Sequence, residues 1–263
     1  LLIVIGGSDF YSGSPALNAM AAFAAGVGMV RILAPKRAAD IIASFSPNLA
    51  AYPLEGKWLE RKHVPILLEM TKSAQMVAEN KVAVVIGGGL GRSSETQEAI
   101  LEYLKEIEVP VVIDADAIYA LAKQKEIIPK KKFVLTPHPY EFFVLTGKKV
   151  YQIPLKEQIQ IVKEEAKKLR TIILLKGMPD IISDGEKVSL CYAGTPYMAV
   201  GGTGDTLAGI CGALLARKID PFLATQAAAY LNARAGEIAA EKLKDSLTAI
   251  NIIETIPEVL KEI

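Results

Sequence analysis

The 263-residue sequence predicts an α/β protein of three layers, α/β/α, built on a largely parallel central sheet. Three observations point there. Short apolar runs rich in β-branched residues alternate with longer segments of helical spacing. Most of these runs are apolar at nearly every position, as strands buried on both faces must be. Several of them end directly on glycine, aspartate or lysine, the residue types found where a parallel sheet presents its carboxyl ends to a ligand.

Taken in order, residues 1–5, 29–33, 82–86, 109–113, 132–135 and 171–175 read as strands. Between them, residues 15–25, 66–78, 95–105, 140–146 and 155–169 carry helical apolar spacing or strong helix propensity. Residues 181–190 change period to two short strands around Ser183-Asp184-Gly185-Glu186, a hairpin expected to close one sheet edge. Beyond it the chain turns helical at 205–217 and 221–241, with a weaker helix after Asn251. No repeat, low-complexity tract or linker interrupts the pattern, so residues 1–263 are expected to form a single domain.

Composition excludes several classes of function. Hydrophobic residues make up 51% and charged residues 22%, with a net charge of +1, which is globular and offers nothing to a polyanion; no nucleic-acid partner is expected. Cys191 and Cys211 match neither a disulfide framework nor a zinc motif, so a reducing, cytoplasmic setting is expected. Apolar stretches break before the roughly 18 residues of a membrane span, and no signal-like segment opens the chain; a soluble protein without a membrane partner follows. The sequence begins at Leu1 inside an apolar run, without methionine, which suggests that a preceding piece or a further domain was removed.

The most informative segment is Gly201-Gly202-Thr203-Gly204-Asp205, just before an apolar helix. Glycines let backbone N–H groups turn inward, and a helix N-terminus adds roughly half a positive charge, which together suit a phosphate. Asp205 as a helix cap is the plain alternative. Three glycines in four residues exceed what a cap requires, since each weakens a helix by about 0.5–1 kcal/mol. The run Gly87-Gly88-Gly89-Leu90-Gly91 fits either a tight turn or close backbone approach to a ligand. Neither glycine run completes a dinucleotide fingerprint, and both a Walker loop and a Gly-x-Ser-x-Gly elbow are absent. Asp114 and Asp116 suit Mg²⁺, directly or through water, but Asp116 equally suits a cap on helix 117–122. His138, between Pro137 and Pro139 and three residues before Glu141, is either part of a rigid turn or chemistry. Lys176, after an apolar strand, suits nucleotide phosphates or a snorkelling surface position; His63, beside Lys62, reads as solvated.

Together these motifs resemble the ribokinase-like enzymes, in which such glycines form an anion hole and the following aspartate is the base. Thr136-Pro137-His138-Pro139-Tyr140-Glu141 narrows the resemblance to the NAD(P)H-hydrate dehydratase branch, because vitamin kinases of the superfamily commonly carry asparagine where His138 stands. Gly6-Gly7-Ser8 with Ser12-Gly13-Ser14-Pro15, the Gly87 run, Asp114-Ala115-Asp116-Ala117, Leu175-Lys176-Gly177 with Asp180, and Met198-Ala199-Val200 are similar to that branch from Ile3 to about Ala240. Gly88 departs where the family often has proline, Tyr140 where it often has glycine, and Tyr197 is bulkier than usual.

The resemblance implies a ribokinase-like fold and ADP-dependent (or ATP-dependent) dehydration of hydrated NADH or NADPH, with Mg²⁺. Asp205 would be the catalytic base. Ser14 or Ala16, Gly91, His138 and Asp205 would face the hydrated cofactor. Lys176, Gly177, Asp180, Gly201, Gly202, Thr203 and Gly204 would hold the nucleotide, and Glu141, with Asp114 directly or through water, would organise the metal. It also implies a homotetramer and an NAD(P)H-hydrate epimerase as a second domain or partner. A thiazole or hydroxymethylpyrimidine kinase, and a nucleotide sensor without turnover, are the competing expectations.

Overall fold

Strands β1 (Leu2–Ile5), β2 (Val30–Pro35), β3 (Ala50–Leu54), β4 (Ala83–Ile86), β5 (Val111–Ile113), β6 (Phe133–Leu135), β7 (Ile172–Leu175), β8 (Asp180–Ser183) and β9 (Val188–Cys191) form one sheet in the computed structural model, which describes residues 1–262. Their order is β3-β2-β1-β4-β5-β6-β7-β8-β9. Every pair from β3 to β7 is parallel, and β7–β8 and β8–β9 are antiparallel. The mostly parallel sheet and the hairpin closing one edge are as expected. β1 is flanked by β2 on one side and β4 on the other, with Leu2 opposite both Val30 and Ala83. The chain thus leaves β1 in one direction and returns in the other, and the crevice at such a reversal is where open α/β sheets bind ligands.

Alternation along each strand assigns the two faces. Leu2, Val4, Ile32, Val85, Val112 and Leu174 point into one apolar cluster. Against them pack helices α1 (Gly13–Ala24), α2 (Lys36–Phe45), α8 (Thr203–Ala216), α9 (Pro221–Leu243) and α10 (Ala249–Val259). Ile3, Ile5, Ile86, Ile113, Leu135 and Ile173 point the other way, against α3 (Val64–Val77), α4 (Ser94–Glu106), α5 (Asp116–Leu121), α6 (Pro139–Thr146) and α7 (Leu155–Leu169). This is the expected three-layer arrangement. No helix among the described residues is long and apolar enough to cross a membrane.

Two elements escape the sequence pattern, α2 and β3. β3 is the edge strand, buried only at its last residue and carrying Pro53, which the edge tolerates because no ladder partner is needed on its outer side. α2 turns only Ala38, Ala39 and Ile42 inward, too small an apolar stripe to stand out. His63 corrects a second expectation: it is buried, not solvated. Its Nδ1 accepts from the Glu60 amide at 3.0 Å and its Nε2 lies 2.8 Å from the Glu55 carbonyl, so it ties together the turn before α3.

Close packing of α8 against α1 and the sheet sets the position of the helix N-terminus. A Cβ at Gly212 would meet Val85 Cγ2 at 2.5 Å and Leu2 Cδ1 at 2.8 Å, and one at Gly209 would fall onto the main-chain carbonyl of Asn18 in α1. Gly209→Ala should therefore destabilise the protein by about 1–3 kcal/mol, as overpacking does, although alanine is intrinsically better in a helix by about 1 kcal/mol. Urea denaturation measures the sign, and a stabilised variant would contradict this packing.

Candidate active site

The loops at the carboxyl ends of the strands converge on the β1–β4 crevice. The Gly7 amide donates to the Gly88 carbonyl at 2.8 Å, locking the loop after β1 to the loop after β4. Gly87 holds φ at +138°, and a side chain there would strike the Asp114 carbonyl. Gly88 abuts Ser14 and Asp205 so closely that any side chain would displace them. The glycine run is thus demanded by contact between loops around one carboxylate.

That carboxylate is Asp205. It lies in the first turn of α8, but the cap position belongs to Gly202, whose φ is +97°. The capping alternative therefore fails. Helix α8 starts at Thr203, two residues before the expected start, and the Asp205 side chain reaches away from the helix amides to accept a hydrogen bond from Ser14 Oγ. Asn18 Nδ2 donates to the Asp205 carbonyl at 2.7 Å and fixes its backbone. Burial pushes the Asp205 carboxyl up to about 6, with Asp114 raising it further while Ser14 and Lys176 hold it down. It is a carboxylate poised to accept a proton near neutral pH.

Beside Asp205 the first-turn amides of α8 lack intrahelical acceptors and carry the positive end of the helix dipole. Thr203 Oγ1 donates to the carbonyls of Met198 (3.0 Å) and Val200 (3.1 Å), and Thr206 Oγ1 and Asn232 Oδ1 are joined at 2.6 Å. These bonds hold the turn open toward a cavity of about 470 Å³ bounded by Lys176, Gly177, Asp180, Thr203, Gly204 and Asn232. Asp180 Oδ1 accepts from the Gly177 amide at 2.8 Å, and burial raises this carboxyl to about 6.

Lys176, at the end of β7, is no snorkelling surface residue. Its Nζ lies 2.8 Å from Asp114 Oδ1 and 3.9 Å from Glu141 Oε2, and Asp114 Oδ1 also accepts from Thr136 Oγ1 at 2.9 Å. His138 and Glu141 form a reciprocal cap on α6. His138 Nδ1 accepts from the amides of Tyr140 (3.1 Å) and Glu141 (3.3 Å), while the His138 amide donates to Glu141 Oε2 at 2.9 Å. The ring proton then sits on Nε2, 3.3 Å from Glu141 Oε1. Burial, aided by Lys176, holds the imidazole below its ordinary pKa; burial drives Glu141 up to about 7 against the pull of Lys176.

Of the remaining residues singled out in the sequence, Gly91 donates its amide to Asp116 Oδ2 at 2.9 Å, which gives Asp116 a structural task in the glycine loop. Ala16 packs in the apolar cluster, so of Ser14 and Ala16 only Ser14 touches Asp205. Gly201 is exposed and, like Gly202, does not line the cavity. Sequence reading passed over Asn18 and Asn232. The signal was present: Asn18 is one helical turn from Ser14 on an apolar helix, and Asn232 is a lone buried amide in an alanine-rich one. Among the described residues no group of three or more His, Cys, Asp or Glu side chains is placed to hold a metal ion.

Removing Lys176 would leave Asp114 buried without its counter-ion. Lys176→Met is expected to lower stability by about 3–5 kcal/mol at neutral pH, and Asp114→Asn in the same chain to return part of the loss. Denaturant titration of the wild type and the two variants checks it, and a Lys176→Met protein as stable as the wild type would refute the pairing.

A family model described as NAD(P)H-hydrate dehydratase matches residues 2–258. The chain is 42% identical over 262 residues to a bifunctional NAD(P)H-hydrate repair enzyme of Pyrobaculum aerophilum, covering 99% of this chain and 50% of that one, so it spans about half that relative's length. It is 33% identical over 267 residues to the ADP-dependent (S)-NAD(P)H-hydrate dehydratase of Nitrosopumilus maritimus, covering 99% of this chain and 88% of the relative. In three dimensions it resembles the ADP/ATP-dependent NAD(P)H-hydrate dehydratase of Bacillus subtilis co-crystallised with ATP and Mg²⁺, with a TM-score of 0.80 and 28% identity over 99% of this chain and 88% of the other. The match covers every loop that meets at the β1–β4 crevice, and with it the chain belongs to the NAD(P)H-hydrate dehydratase family.

Proposed function

We propose that the chain catalyses ADP-dependent dehydration of the (6S) hydrate of NADH or NADPH, returning the reduced cofactor with AMP and phosphate. The observation that carries this reading is the half-buried Asp205 carboxylate, held by Ser14 at the head of α8 beside open first-turn amides. Hydroxide is a poor leaving group from the hydrated ring, and phosphorylation of the C6 hydroxyl converts it into a good one. Asp205 takes the hydroxyl proton as the oxygen attacks the terminal phosphoryl group of ADP, and AMP departs. The amides of Gly202, Thr203 and Gly204, with Lys176 close to Gly204, face the charge of the phosphoryl group in flight. Phosphate then leaves C6 with the bonding electron pair, a proton leaves the neighbouring carbon, and the dihydronicotinamide re-forms.

On this reading AMP occupies the cavity between Lys176, Gly177, Asp180 and Gly204, and the hydrated ring lies on the opposite side of Asp205, toward Ser14, Gly91 and His138. Mg²⁺ characteristically binds one or two carboxylates and completes its shell with water and phosphate oxygens. Glu141 and Asp114 fit that mode, and would hold the ion through water with the nucleotide, where it offsets phosphate charge. A cytoplasmic homotetramer, and an epimerase of the hydrates as companion domain or partner, complete the proposal; the bifunctional name and double length of the Pyrobaculum relative support the last.

Incubation with hydrated NADH and ADP should restore the reduced-nicotinamide absorbance, faster than with ATP. No recovery with either nucleotide would sink the reading, and faster turnover with ATP would overturn the choice of donor.

Asp205→Asn should cut turnover by ~10²–10⁴-fold, as loss of a general base does. Its stability should move the other way. A carboxyl whose pKa is raised in the folded state favours folding while protonated, and that contribution disappears as pH climbs through about 6. At pH 7.5 the wild type therefore holds an unfavourable buried charge that asparagine lacks. The variant should melt at or above the wild-type temperature at pH 7.5, with any advantage shrinking toward pH 4. Wild-type turnover by the folded variant would remove Asp205 from the chemistry.

A further inference from the structure

Arg92 is the first residue after the glycine run, and its side chain is fixed more tightly than its exposure warrants. Its Nε donates to Asp116 Oδ1 at 2.7 Å, and the guanidinium carbon stands 3.5 Å from the centroid of the Tyr119 ring. Asp116 and Tyr119 are one turn apart on α5, so a single helical turn grips the edge and the face of the guanidinium at once. The other Asp116 oxygen accepts from the Gly91 amide at 2.9 Å, which registers Arg92 to the loop bordering Asp205. Yet the side chain is 51% exposed, where an ion pair adds little to stability. Asp116 is its one ion-pair partner among the described residues, and it takes the Nε edge. The result is a pre-oriented, half-exposed planar fork whose outer edge no carboxylate occupies, which suits bidentate capture of a phosphate.

The phosphate in question is not the one beneath α8. Arg92 follows β4 and Lys176 follows β7, three strands further along the sheet and so roughly 14 Å away at the strand level. Arg92 is not among the residues that bound the nucleotide cavity, and Asp116 and Tyr119 hold it over α5, which packs against α6 and the stacked pair His138 and Tyr140. On the function proposed above, that is the side of the hydrated dinucleotide, whose phosphates extend well beyond its reacting ring.

We infer that Arg92 reads a phosphate of the hydrated cofactor, either the pyrophosphate or the 2′-phosphate of the NADP form, and is thereby a determinant of substrate affinity separate from the ADP site. Asp116 and Tyr119 are its positioning residues. The binding is an oxyanion–guanidinium contact without covalent change, so it should appear in KM for the hydrate and leave kcat and the KM for ADP nearly unchanged.

Arg92→Gln and Arg92→Lys, assayed with hydrated NADH, hydrated NADPH and the phosphate-free hydrated nicotinamide riboside, test the inference. Arg92→Gln is expected to raise KM for at least one dinucleotide about tenfold or more, the scale of a lost charge-assisted contact, with Arg92→Lys intermediate. A penalty on both dinucleotides assigns the pyrophosphate, and a penalty on hydrated NADPH alone assigns the 2′-phosphate. The riboside should be affected by neither variant. An equal penalty on the riboside would show that Arg92 merely supports the Gly91 loop, and unchanged KM for both dinucleotides would show no contact; either overturns the inference. Arg92→Lys carries the test if Arg92→Gln does not fold. A wild-type protein inactive on every hydrate would instead mean that the underlying function is wrong.

Discussion

Lys176 sets its ammonium among three carboxylates, the buried Asp114 and Glu141 and the half-buried Asp205, and much of the crevice follows from how its charge is shared. Its closest contact is with Asp114, at 2.8 Å, while Glu141 is 3.9 Å away. Asp114 therefore takes most of the compensation, helped by Thr136. Glu141 is left with a backbone amide and a histidine edge, and Asp205 with a serine hydroxyl. Burial raises Glu141 to about 7 and Asp205 to about 6, each against a pull from the same lysine.

The backbone makes this crowding attainable. Reversal of chain direction at β1 leaves a crevice between β1 and β4, and glycines on both sides let the two loops touch there. Helix α8 enters the same space from above because Gly209 and Gly212 allow it to sit directly on α1 and on the sheet. One face of α1 then supplies both contacts to Asp205, a hydroxyl from Ser14 to the carboxylate and an amide from Asn18 to the main chain, one turn apart. The geometry around Asp205 rests on regular elements, which hold side chains more tightly than loops do.

Much of this was legible in the chain. Strands apolar at successive positions, such as residues 82–86, had to be covered on both sides, and the residues after them had to lie at one end of the sheet. Those two inferences bring Asp114, His138, Glu141 and Lys176 together without any coordinates, and the glycine-rich start of a helix singled out Asp205. Local detail was harder to read. Whether an aspartate at the start of a helix is the cap or its third residue depends on one backbone angle, and Gly202 at φ +97° took the cap. His63 looked solvated because its sequence neighbours are charged, whereas its two bonds are to backbone groups of a turn that periodicity does not reveal. β3 was hidden because an edge strand needs only one buried residue. Arg92 went unread since both of its partners lie on another element, beyond a strand and a helix.

The uneven charge also explains why the two substrates would approach Asp205 from opposite sides. A nucleotide brings phosphates, which the first-turn amides of α8 and Lys176 would attract. On the proposed function it would therefore enter the cavity on the β7–β8 side, where Lys176 reaches close to Gly204 and a glycine backbone admits close approach. The hydrated ring carries no charge of its own at C6 and has no such preference. On the proposed function its hydroxyl would be met by Asp205, with Ser14 and the glycine loop packed beside that carboxylate. The remainder of a dinucleotide is again anionic, and the exposed cation oriented by the loop itself is Arg92. On the proposed function, cations at two separate places, Lys176 for the nucleotide and Arg92 for the dinucleotide, would let both molecules meet at the same carboxylate.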